Sequence, residues 1–195
     1  MLIKIPAGLL ILFSICAPTI AWGDNIIGPK IAWVYWSQTT FGPIERQQVT
    51  FRHSNPAIGV EYLHRFPFNL SVGGEFQIYK VALKSATYEP EPYGEGANVY
   101  QFLANVGYFF PLDKYTKTFI GFGLGPNMIG INTRDEATLN GYAFQANTGV
   151  EFKYARRNSV TLEYKLSFLS AEDTHNKIDT SVHEVSLRLN VYTLL

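Results

Sequence analysis

Cysteine is nearly absent from this chain. Cys16 is the single one in 195 residues. It sits in an N-terminal stretch that reads as removable, so no disulfide framework holds the fold. A long apolar run is missing too. Leu9 to Ile15 comes nearest, well short of the ~20 residues a spanning helix requires. Surplus charge of one sign is also lacking, with 16 Lys and Arg against 16 Asp and Glu. That balance argues against a nucleic-acid partner. No group of His, Asp and Glu has metal-ligand spacing, and nothing calls for a cofactor.

The first 23 residues read as an export signal, with the domain proper at 24–195. Lys4 gives a positive start, Leu9 to Ile15 the apolar stretch, and Ala21-Trp22-Gly23 the small residues of a cleavage site. A membrane anchor competes with this reading, but the apolar stretch is too short for it. A lipidated Cys16 competes as well, although Ile15 is bulky where a small residue is expected. With Lys4 removed, 15 basic residues face 16 acidic ones.

What the chain has is a period of two. From 141 to 154, the even positions Tyr142, Phe144, Ala146, Thr148, Val150, Phe152 and Tyr154 carry no charge. The odd positions Gly141, Ala143, Gln145, Asn147, Gly149, Glu151 and Lys153 are small, polar or charged. Such alternation makes a strand with two different faces. A charge-free face that begins and ends on aromatics suits lipid, and the other suits a polar lumen. The pattern recurs at 58–63, 70–79, 100–110, 159–167 and 184–191. It is less regular at 31–37, rich in Trp and Tyr on both faces. At 119–131 it is broken by Gly125-Pro126, where a bulge or bend is expected. The total is eight strands, an even number as bacterial barrels require.

The links alternate in length. Short ones fall at 66–69, 111–117 and 155–158, and long polar ones at 38–55, 84–97, 132–139 and 170–181. Outer-membrane barrels have short periplasmic turns and longer outside loops, so both ends of the chain are expected in the periplasm. Tyr62, Phe66, Phe68, Tyr108, Phe110, Tyr115, Phe119, Phe152 and Tyr154 fall near the short turns. Phe76, Tyr100, Phe102, Tyr142 and Phe168 fall toward the long loops, giving two aromatic belts. The expected fold is all-β: an eight-stranded, antiparallel, up-and-down transmembrane β-barrel in the outer membrane of a Gram-negative cell. A water-soluble eight-stranded barrel of the lipocalin kind would need a charged exterior instead. Here the polar face is mostly Gly, Ala, Ser, Asn and Gln.

By the same alternation Glu61, Glu75, Glu151, Lys153, Glu163, Lys165, Glu184 and Arg188 point inward. Both signs are present, so they can pair into a salt-bridge plug, since unpaired charges in a narrow lumen are costly. The same groups could instead line a narrow ion path. The outside loops are the other candidate, above all the acidic, proline-stiffened tip holding Tyr88, Glu89, Glu91 and Tyr93. Arg134-Asp135-Glu136 and Glu172-Asp173-Thr174-His175 make lesser charged tips.

Phe119-Ile120-Gly121-Phe122-Gly123-Leu124-Gly125, Thr148-Gly149-Val150-Glu151-Phe152 and Val160-Thr161-Leu162-Glu163-Tyr164 carry a resemblance. Over about residues 28 to 195 the chain resembles the small eight-stranded outer-membrane barrels of the OmpA-like and opacity-protein type. It departs from them at Tyr192-Thr193-Leu194-Leu195, where a final aromatic is usual. The resemblance implies a monomeric barrel in contact with membrane lipid and lipopolysaccharide. Its structural or surface-contact role would run through its outside loops, which could meet a surface or host ligand. Around Leu162-Glu163-Tyr164 the chain also resembles lipid A deacylases, which share this barrel. Their His-x-Ser pair corresponds to Phe168-Leu169-Ser170, so the nucleophile has a counterpart and its base does not. His53-Ser54-Asn55 lacks the spacing, and nothing places His175 or His183 beside Ser170. A degenerate deacylase and a narrow ion channel stay as the alternatives to a non-catalytic barrel.

Overall fold

The computed structural model describes residues 23–42, 48–50, 55–82, 96–131, 137–172 and 177–193, and structural statements concern these. The export signal and the 88–93 loop tip lie outside them. Nine strands follow one another: β1 (Asp24–Gly42), β2 (Gln48–Thr50), β3 (Asn55–Arg65), β4 (Leu70–Ala82), β5 (Gly96–Pro111), β6 (Thr116–Ile131), β7 (Ala137–Ala155), β8 (Asn158–Glu172) and β9 (Lys177–Thr193). Every pairing is antiparallel between neighbours, and β9 pairs back onto β1. The sheet therefore closes into a barrel of eight staves, leaving no open edge in lipid. The remaining strand, β2, only lines the far end of β1, pairing with Gln38 to Thr40.

The faces follow the alternation. On β7, Tyr142, Phe144, Phe152 and Tyr154 are exposed, while Ala143, Gln145, Asn147 and Glu151 are buried inside. Tyr142 and Tyr154 are twelve residues apart, roughly 40 Å along a strand. At a tilt of ~40° that spans a bilayer core. On β1, Ile27, Ile31, Trp33 and Tyr35 face out, and Ile26, Lys30, Ala32 and Val34 face in. This stave starts at Asp24, seven residues before the stretch expected from the sequence. Apolar residues occupy both of its faces, which blurs the period.

Three short links close one end. Residues 66–69 turn on Asn69, whose φ of 64° lies in the left-handed region that Asn tolerates. Residues 112–115 are tied by Asp113, whose carboxylate accepts from the amides of Tyr115 (2.6 Å) and Thr116 (2.8 Å). The third link is the pair Arg156-Arg157, with a bulge between Lys153 and Ala155. The opposite end departs from expectation. The strands run on through much of the expected loops at 132–139 and 170–181, leaving only 132–136 and 173–176 between them. The extra length is strand pairing beyond the lipid band, such as Ser170 with Asp179.

Gly125-Pro126 makes no bulge. The β5–β6 register is the same on both sides of it, from Gln101↔Asn127 to Ala104↔Leu124. Proline removes one ladder donor, and a Cβ on Gly125 would strike the Phe102 carbonyl. The pair thus gives a close approach of strands without a change of register. Phe119 also differs from expectation. It belongs to no outer belt, but lies buried inside against Phe109, ring centres 5.0 Å apart.

Candidate functional site

The barrel interior has three layers. Toward the long links sit Ala32, Val34, Ala57, Tyr79, Val99, Leu103, Ile129, Leu139, Ala143, Leu169, Ala171, Ile178 and Val182, none more than 3% exposed. Buried Gln101, Asn127 and Thr180 are set among them, and below this largely apolar cap lies a polar, ion-paired layer. Toward the short turns Ile26, Leu63, Phe109, Phe119 and Tyr192 form a second apolar cluster. The cap did not stand out in the sequence. Its members come one or two at a time from eight strands, and only closure of the barrel brings them together.

Glu75 on β4 is the hub of the middle layer. It pairs with Lys30 of β1 and Lys165 of β8. Lys30 also reaches Glu184 at 3.0 Å and the Gln77 side-chain oxygen at 2.9 Å. Gln77 donates to Glu184 at 2.7 Å. Lys165 lies 3.6 Å from Glu163, which accepts from Asn147 at 2.6 Å. Asn105 bridges Glu75 (3.2 Å) to Glu61 (3.1 Å), and Glu61 pairs with Arg188. Between Glu61, Asn105, Asn147 and Arg188 lies a void of about 10 Å³, room for a single water. Nearer the turns Arg65 binds Glu151 at 2.6 Å, and Glu151 accepts from Ser159 and Tyr192. The Arg65 guanidinium also stacks 3.9 Å from the centre of the Phe109 ring.

Glycine makes room for these side chains. A Cβ on Gly28 would come within 2.6 Å of Arg188 Cγ, and one on Gly123 within 2.8 Å of Gln145. Each of these two glycines stands on the strand next to the side chain it makes room for.

Of the eight charges expected inside, Glu61, Glu75, Glu151, Glu163, Lys165, Glu184 and Arg188 are buried in the lumen. Lys153 is only half-buried, at the turn end, with its ammonium 4.9 Å from the Tyr192 ring. Alternation missed Lys30 and Arg65. Lys30 stands on the early part of β1, and Arg65 on the last residue of β3, where the inner and outer positions cease to alternate. These two cations balance a layer in which the expected set held too many carboxylates. Four cations and five carboxylates are buried altogether, among the described residues.

The serine that matches a deacylase nucleophile is outside the barrel. Ser170 is exposed near the long-link end of β8, and its hydroxyl donates to Asp179 at 2.6 Å. His183 instead bonds the Tyr164 hydroxyl at 2.6 Å. It pairs with Leu166, four residues along the strand from Ser170, so roughly 13 Å separates it from that serine. Among the described residues Ser170 thus has an acid partner but no base within reach, and His53 and His175 lie outside those residues.

A closed barrel of eight antiparallel staves, with an apolar and aromatic outer band and an ion-paired inside, defines an integral membrane β-barrel of the bacterial outer membrane. A model of the outer membrane protein beta-barrel domain matches residues 7–190, and the chain belongs to that family. It is similar in structure to the Neisserial surface protein NspA (TM-score 0.65, 13% identity, 86% of this chain and 96% of that one). OprG from Pseudomonas aeruginosa is also similar (0.59, 14%, 90% and 98%). So is the outer membrane protein AlkL in lipid bilayers (0.56, 11%, 89% and 92%). At these identities the likeness concerns the fold. No curated protein matches the sequence.

Proposed function

We propose that the protein is a sealed, non-catalytic barrel whose work is done outside its lumen, by the loops it holds at the cell surface. The observation that carries this is the apolar cap above the ion-paired layer. An ion path needs continuous polar groups across the membrane, and thirteen buried hydrophobic residues, with only Gln101, Asn127 and Thr180 set among them, break that continuity. Eight staves leave little space beyond side chains, and pairing Glu75 with two lysines leaves its charge no reason to hold a mobile ion. Ser170, bonded to Asp179 and without a base among the described residues, favours a non-catalytic reading as well. On this view the Tyr88, Glu89, Glu91 and Tyr93 tip contacts the surface ligand, and lipopolysaccharide surrounds the outer belt of a monomer. Planar-bilayer recording tests the sealed lumen. The expected result is no discrete conductance, for the natural chain and for Glu163→Gln alike. Conductance steps that shift with Glu163→Gln would establish the channel instead.

A further inference from the structure

The turn end of the barrel is not uniformly charged. Residues 66–69 (Phe66, Pro67, Phe68, Asn69) carry no charge. The 112–115 and 156–157 turns, which close β5–β6 and β7–β8, carry Lys114, Arg156 and Arg157, all exposed. Lys117 and Lys153 stand half-buried behind them. None of these five forms an ion pair among the described residues. Asp113 is the sole acid in these two turns, and its carboxylate is engaged by two backbone amides of its own turn. The turns are joined, since the Lys153 amide donates to the Tyr115 carbonyl at 2.7 Å. Beside the cations lie exposed Phe110, Leu112, Tyr115, Phe152 and Tyr154. The result is one continuous sector, aromatic below and basic at its edge.

We propose that this sector is a binding surface for the anionic phospholipid headgroups of the periplasmic leaflet. Aromatic belts settle at the headgroup level. Long basic side chains just beyond a belt lay their stems on the apolar boundary and hold their charge among phosphates. Charge and depth match that partner together. A soluble anion has no use for the exposed aromatics, and a soluble protein would have to compete with lipid for them. The uncharged 66–69 turn, at the same level and four staves from the 156–157 turn, is an internal control.

The test places the full chain in nanodiscs of zwitterionic phosphatidylcholine, then raises the share of phosphatidylglycerol. Amide NMR shifts should move at 112–115 and 152–158 and move far less at 66–69. Spin-labelled phosphatidylglycerol should associate with the barrel about fivefold more strongly than the phosphatidylcholine label, the equivalent of one engaged basic contact. Added salt should reduce that preference. The triple variant Lys114→Gln, Arg156→Gln, Arg157→Gln should lose it while still folding. Equal association of both lipids overturns the proposal. So do a preference that survives the triple variant and shifts of the same size at 66–69.

Discussion

Glu75 carries the largest electrostatic responsibility of any one side chain. Both of its carboxylate oxygens are used, by Lys30, Lys165, Asn105 and Gln145. Removing it leaves two lysines facing each other in a dry lumen, with Glu184 and Glu163 as their remaining partners. Breaking a buried pair by deleting one member costs about 3–5 kcal/mol. Glu75→Leu is therefore expected to lower unfolding stability in detergent by that order, measured by urea titration. An unchanged midpoint would show that Glu75 is not the hub. The inward acids were legible because β4, β7, β8 and β9 alternate cleanly. Lys30 and Arg65 were not, because β1 has apolar residues on both faces and β3 ends in three consecutive buried residues. Phe119 misled for a related reason: an aromatic near a turn suits the outer belt and the inner cluster equally well.

Strands were legible as elements because a lipid-facing strand cannot carry a charge on its outer face. Their ends were harder to read. A strand that rises beyond the lipid band becomes polar on its outer face, so the tops of β7, β8 and β9 looked like loop. Proline and glycine at 125–126 suggested a bulge, yet neighbouring ladders held the register. Short turns show their chemistry better. Asp113 accepts the Tyr115 and Thr116 amides, and those bonds hold its carboxyl below the usual range. A depressed pKa contributes stability that is present above the unfolded value and lost as pH falls through the folded one. The Tyr115 amide proton should therefore titrate with a midpoint below ~3.9, the ordinary Asp value, followed by NMR. Asp113→Ala should abolish that titration. A midpoint at or above the ordinary value would contradict the capping role.

At the scale of the molecule, the layering decides what the barrel can do. Closure by β1 and β9 gathers one or two residues from each of the eight staves into an apolar cap, above a charged middle and an aromatic base. Alternation predicts which residues point inward but not at what height they meet, because height depends on register and stagger. That is why the polar plug could be anticipated and the cap above it could not. Cysteine accessibility tests the seal most directly, starting from a Cys16→Ser background that contains no thiol. Ser186, buried beside Glu163 under the cap, and Ser170, exposed near the long-link end of β8, are near-isosteric sites for one cysteine each. With a membrane-impermeant maleimide added to intact cells, Ser170→Cys should label readily. Ser186→Cys should stay unlabelled until the barrel is unfolded. Labelling of Ser186→Cys in the folded protein, at a rate near that of Ser170→Cys, would contradict a sealed lumen.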